Sequence, residues 1–325
     1  MTTTVQPRAA RPAPRGTQIR VIGPHGPAYW LSAALAAAAT AAALLTFLLP
    51  SVLRGTAVMN GSARGTALAV LLAGVPVLGV SMLLAARGSA AAALTWLGAV
   101  GFLSYNAVMF VFATPANRLF LLYLVMLALA AWSAGAVLSQ AEMPVLGGLF
   151  SPRTPVRGIA IYMWAVAGLN AAAWLARIIP AVAAGGAPEY LRGTGLATNV
   201  VYVQDLALWL PLLAVAAAWL WQRRPRGYLL AGAGLVLWVL ESVSIAVDQW
   251  YGHAADPASS VASGVLVPAF AAAALIGLAL VAWIAIQLLV LQRYFFLQPL
   301  IASLGAAEFM LAWAWQRVST ARLPG

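Results

Sequence analysis

The chain reads as an all-α polytopic transmembrane bundle of about eight spans, with both termini on the cytoplasmic side. Three observations predict this. Of 325 residues, 63% are hydrophobic and only 8% charged, whereas a soluble domain carries about a quarter charged residues because its surface must face water. A bilayer removes that demand by solvating apolar side chains over a band about 30 Å thick. Next, the uncharged stretches 65–86, 88–117, 119–141 and 158–176 each supply about the 20 apolar residues that a helix rising 1.5 Å per residue needs to cross. Finally, all 18 basic residues are Arg and gather at the ends of apolar runs, where cations meet headgroups and set orientation.

Taken in order, residues 1–27 are a disordered basic cytoplasmic tail rich in Pro, Arg and Thr, with little to bury. The apolar run from Tyr29 to Leu49 is too long for a signal-peptide core and reads as a retained first span. The transmembrane bundle covers 28–291, with spans expected at about 28–50, 67–86, 91–112, 119–138, 158–180, 199–221, 227–249 and 261–290. Turn and breaker chemistry separates them at Pro50, Arg87-Gly88, Pro115, Ser151–Pro155, Gly185-Gly186, Arg223–Arg226 and Asp256-Pro257. Within 292–325, the stretch 294–315 is interrupted by Gln298, Pro299 and Glu308, and is expected as a membrane-surface helix before a cytoplasmic tail.

With the N-terminus inside, thirteen Arg face the cytoplasm and five (Arg54, Arg64, Arg118, Arg177 and Arg192) face out. That asymmetry follows the positive-inside rule and places the chain as a multi-pass protein of the plasma membrane. The same placement explains the net charge of +11 without nucleic acid as a partner. The bilayer is the implied partner, with a small-molecule solute beside it; the sequence names no protein partner.

The absences exclude chemistry. No Cys means no thiol redox pair, iron–sulfur ligation or thiolate zinc site. No Lys removes Schiff-base catalysis. The two histidines, His25 and His253, fall outside the expected spans, so no His pair holds haem between helices. His253 between Asp248 and Asp256 resembles a metal site, but Asp256 followed by Pro257 has the form of a helix start. No metal and no cofactor are expected.

Ionisable side chains inside lipid are costly, so each one carries information. Asp205 falls about six residues, or ~9 Å, inside the outer end of span six, and Glu241 about eight residues, or ~12 Å, inside that of span seven. Arg177 lies within a turn of the outer end of span five, and Asn106 in the outer half of span three. Asn170, Trp174 and Arg177 share one face of span five; Glu241, Ser244 and Asp248 share one face of span seven. Tyr202 stands near the level of Asp205, and Pro211 bends span six further in. These residues converge on an outward-facing polar pocket among spans three to seven, with Arg177 expected to pair with Asp205 or Glu241.

At Ser104–Tyr123 and Thr198–Gly227 the chain resembles a group of uncharacterised bacterial multi-pass membrane proteins. The shared pattern is a Tyr-Asn pair followed by Asn ahead of Leu-Phe-Leu-Leu-Tyr, and the likeness covers about the middle two thirds of the chain. It implies a membrane protein and supplies no mechanism.

The leading functional expectation is binding or transport of a small solute through the outward-facing pocket. The alternatives are a membrane-embedded enzyme using Glu241 and Asp205, and a structural subunit of a membrane complex packing through Gly-rich helices such as those with Gly74, Gly79, Gly98 and Gly101. The orientation is testable at once, because a Cys-free chain is silent to thiol reagents. Cys introduced at Ser62 or Ser259 is expected to react with an impermeant reagent on whole cells, and Cys at Gly88 or Arg224 only after lysis. The reverse pattern would invert the topology.

Overall fold

A computed structural model describes residues 22, 26–143, 150, 154–282 and 286. Nearly all of the expected N-terminal tail and all of 292–325 lie outside the described residues. Every regular element among them is helical. Seven helices are long and apolar enough to cross a membrane: α1 (Pro27–Leu48), α2 (Ala57–Ala86), α3 (Ala90–Phe112), α4 (Phe120–Gln140), α5 (Val156–Ala184), α6 (Val200–Trp221) and α7 (Pro225–Ala255). A shorter apolar helix, α8 (Leu266–Ala282), occupies the place of the eighth expected span. The architecture is an all-α multi-pass membrane bundle. Its outer surface agrees: Leu72, Leu121, Trp132 and Leu169 are each 71–73% exposed, which water would penalise and lipid does not.

Local chemistry sets the helix ends. Pro27 and Pro225 open α1 and α7, where a missing N–H costs nothing. Ser89 caps α3 by accepting from the Ala92 N–H at 3.2 Å, and Asn199 caps α6 by accepting from the Tyr202 N–H at 3.1 Å. Gly185 ends α5 at φ 66°, a left-handed position that glycine takes without Cβ strain.

Two boundaries differ from expectation. α2 begins at Ala57, ten residues before the expected start, so Arg64 lies inside the helix rather than at its edge. Its Nε donates to the Phe47 carbonyl at 3.3 Å, and its guanidinium lies 5.3 Å from the Phe47 ring centroid. A charge that reaches the unpaired carbonyls at the end of α1 costs little to keep on a membrane helix. α7 runs 31 residues to Ala255, about 46 Å at 1.5 Å per residue, and so carries His253 in its last turn. Asp256 does not start α8. It closes α7, and its Oδ1 accepts from the Ala258 N–H at 3.2 Å in a short turn, ten residues before α8 begins.

α7 is the central post and packs against α2, α3 and α6, while α1 packs against α2 and α4. The α2–α7 contact is backbone on backbone. A Cβ at Gly61 would lie 2.5 Å from the Tyr251 carbonyl oxygen, and one at Gly65 would lie 2.6 Å from the Asp248 Cα. This is the small-xxx-small packing that membrane helices use in place of a hydrophobic driving force. Of the glycines singled out from sequence, Gly74 meets the Phe102 ring, Gly98 meets α7 at Ala233 and Val236, Gly101 meets Leu237, and Gly79 has open space.

Both α2 and α6 widen into a single π turn, at Val70–Gly74 and Asp205–Trp209, directly before Pro76 and Pro211. A proline ring clashes with the carbonyl four residues back and removes a donor; a π turn absorbs both effects. The core between the helices is aromatic and aliphatic, with Trp96, Phe102, Phe110 and Tyr123 fully buried. Two hydrogen bonds pair polar atoms inside it: the Trp96 indole N–H donates to Ser32 Oγ at 2.9 Å, and the Thr46 and Tyr123 hydroxyls share a 2.7 Å hydrogen bond.

The glycine contacts give a paired prediction. Gly65→Val is expected to lower the unfolding midpoint in mild detergent by an amount equivalent to about 1–3 kcal/mol, the usual cost of overpacking. Gly79→Val, with nothing within 4 Å, is expected to leave the midpoint unchanged.

Candidate functional site

Among the described residues, α5 packs closely against α6 alone. The space this leaves between α5 and the central post is a cavity of about 1260 Å³, lined mainly by α3, α5, α6 and α7, with Met59, Ser62 and Thr66 of α2 and Ala134 and Leu138 of α4 also on its wall, and reached by α8 through Leu266 and Phe270. At one end it meets the α5–α6 connection, where Pro188, Glu189, Tyr190, Arg192 and Thr194 form part of its lining. This connection is tied down: the Thr56 hydroxyl donates to the Gly193 carbonyl at 2.8 Å.

Seven of the eight residues nominated from sequence line this one cavity: Asn106, Asn170, Arg177, Tyr202, Asp205, Glu241 and Asp248. Ser244 does not; it is 1% exposed and outside the lining, and Ile245 takes its place. At 100° per residue, Ser244 and Ile245 fall on opposite sides of Glu241, and the cavity lies on the Ile245 side.

Glu241 is 7% exposed. Asn106 Nδ2 donates to its Oε2 at 3.0 Å and to the Phe102 carbonyl at 3.0 Å. No donor among the described residues reaches Glu241 Oε1. Asp205 begins the π turn of α6 and is 9% exposed. The Trp174 indole N–H donates to its Oδ2 at 2.9 Å, and the Tyr105 hydroxyl faces the same carboxylate. Asp248 lies two turns beyond Glu241, with Gln249 Nε2 donating to its Oδ1 at 3.0 Å. Gln249 Oε1 in turn accepts from the Ser263 N–H at 2.9 Å, tying α7 to the segment before α8. Tyr105 is within electrostatic reach of all three carboxylates.

The expected pairing of Arg177 with Asp205 or Glu241 is not made. Among the described residues the one ion pair within 4.0 Å is Arg192 with Glu189, 3.8 Å apart and exposed in the α5–α6 connection. Arg177 instead faces the Tyr202 hydroxyl, one turn nearer the connection than Trp174, whose indole takes the Asp205 position that the Arg was expected to fill. Asn170 Nδ2 is spent on the Val166 carbonyl of its own helix at 2.8 Å.

Aromatic rings complete the wall. Tyr202 lies between Trp174 and Tyr190, with ring centroids 4.6 and 5.2 Å away. Tyr105 and Trp209 are 5.9 Å apart. Tyr105 and Trp209 were absent from the nominated set, although Tyr105 follows Gly98 and Gly101 at i+7 and i+4 on one face of α3, and all three line the cavity. His253 packs beside Gly264 with its Nδ1 unpaired and lies outside the lining. Among the described residues no three His, Cys, Asp or Glu side chains converge to hold a metal.

No protein family matches this chain, and no curated protein or solved structure does.

The Asn106–Glu241 hydrogen bond is expected to behave as a buried pair in a double-mutant test. Asn106→Leu strands a buried carboxylate, and should cost about 1–3 kcal/mol in unfolding free energy. Adding Glu241→Met should recover most of that loss, since no buried charge is left alone. Simple additivity of the two changes would show that the hydrogen bond carries no stability.

Proposed function

We propose that this chain binds a small solute in the cavity between α3, α5, α6 and α7, as a binding protein or carrier of the plasma membrane, with the site open to the exterior. The observation that supports this reading is the meeting of seven polar or ionisable side chains from four helices around about 1260 Å³ of space. A bundle that needed only a structural clamp would close dry around a charge pair. Here the carboxylates are held by neutral donors (Asn106, Trp174 and Gln249) and border open volume. Ligand sites commonly have this composition: a mostly apolar wall with a few convergent polar groups. The outward direction follows from the Arg asymmetry, because the cavity meets the α5–α6 connection on the Arg-poor side.

The test is accessibility. On whole cells, Asn170→Cys is expected to react with an impermeant thiol reagent, since a hydrated site supports the reactive thiolate. Leu169→Cys, one residue away and 72% exposed on the outer surface of α5, is expected to stay unreactive in lipid. Equal silence at both positions would mean that the cavity is sealed or faces the other way.

A further inference from the structure

The cavity walls are not neutral as to charge. Glu189 and Arg192 offset each other across their 3.8 Å ion pair. Three carboxylates, Asp205, Glu241 and Asp248, then stand against one guanidinium, Arg177, which is turned to Tyr202 at the connection end. Glu241 is more than nine-tenths buried, yet one of its oxygens has no donor among the described residues. An acceptor left open at the wall of a large cavity is a place for a donor or cation from outside the chain.

Aromatic rings line the same cavity. Tyr105 and Trp209 form one pair, Trp174 and Tyr202 another. Cations are attracted to such faces, most strongly to Trp and more so where water is excluded. Much of the remaining lining is aliphatic, including Leu97, Leu208, Leu212, Leu213, Leu230 and Leu237. A hydrated metal ion or a small ammonium would leave that part unused, and an anion would face three like charges.

We infer that the ligand is a lipophilic organic cation, its charge set against Glu241 Oε1 and the surrounding rings, its apolar groups in the leucine-lined remainder of the cavity. This rests on the solute-binding reading and adds the sign of the charge and the amphipathic character. Asn106 is a positioning residue in this scheme: it occupies Oε2 and leaves Oε1 to the ligand.

Two probes of nearly the same size and shape but opposite charge separate the possibilities. Full-length protein in nanodiscs of zwitterionic lipid is titrated with radiolabelled tetraphenylphosphonium, with empty nanodiscs subtracted, and tetraphenylborate serves as competitor. Saturable binding of the cation is expected, with at least tenfold poorer competition by the borate than by unlabelled cation. Glu241→Gln keeps the side-chain length and an acceptor for Asn106, and is expected to weaken cation binding at least tenfold with an unchanged melting temperature. Should that variant fail to fold, Trp209→Leu removes a ring face instead and is expected to weaken binding severalfold. Preference for the borate, or full affinity in a folded Glu241→Gln or Trp209→Leu protein, overturns the charge assignment. So does the absence of saturable binding by either probe. In each case Cys labelling at Asn170 still reports separately whether the cavity is open to solutes at all.

Discussion

A carboxylate buried among lipid-spanning helices has no water to lean on, so its donors must come from neighbouring helices. Glu241 sits on α7, and its donor sits on α3; Asp205 sits on α6, and its donor sits on α5. Each acid therefore links two helices at a fixed depth, and the two links lie around one cavity. For α7 to present Glu241 there, it must be held in place. Gly61 and Gly65 hold it by bringing the α2 backbone against Val247–Tyr251. A larger residue at either glycine would push α7 away from α2 and disturb the approach of Glu241 to Asn106.

Much of this was legible in the sequence, for identifiable reasons. Charge-free stretches of about 20 residues mark spanning helices because lipid tolerates little else. Helical spacing put Asn170, Trp174 and Arg177 on one face, and all three line the cavity. Depth was readable only in part: Asp205 falls five residues inside Val200, close to the count, but α7 runs on to Ala255, so Glu241 lies fourteen residues, ~21 Å, from that end rather than eight. Partner choice was not. Charge complementarity favoured Arg177 for the acids, but a long side chain one turn nearer the connection reaches Tyr202, while the indole of Trp174 stands level with Asp205. Neutral N–H donors give no sign in a charge inventory. Nor does an Arg inside a helix: Arg64 looked like a fence post because its carbonyl partner, on Phe47, belongs to another helix.

The two proline-linked π turns show how local strain is placed. In α2 the turn carries Gly74, which admits the Phe102 ring of α3. In α6 it spans Asp205 to Trp209, so its first and last residues are a carboxylate and an aromatic wall of the cavity. A π turn adds one residue to a helical cycle and rotates the segment before it relative to the segment after it. Asp205 is on the rotated side, near Trp174 of α5, while Leu213 beyond the proline packs beside Gly234 of α7. One helix thereby serves two differently oriented neighbours.

Among the described residues α5 is attached on one side only, which leaves the cavity beside it. It leans on α6, and its far side is lipid-facing, with Leu169, Ile179 and Val182 each at least 60% exposed. In a soluble protein such a helix would collapse onto the core to bury that surface. In a bilayer its apolar side chains gain nothing by moving from lipid to protein, so no hydrophobic force closes the gap. What opposes closure is polar: pressing α5 onto Asp205, Glu241 and Asp248 would strip the remaining solvation from three acids that have only neutral donors. Lipid on one side and acids on the other thus keep the volume open. A cationic ligand would pair with these acids and fill the space in a single step.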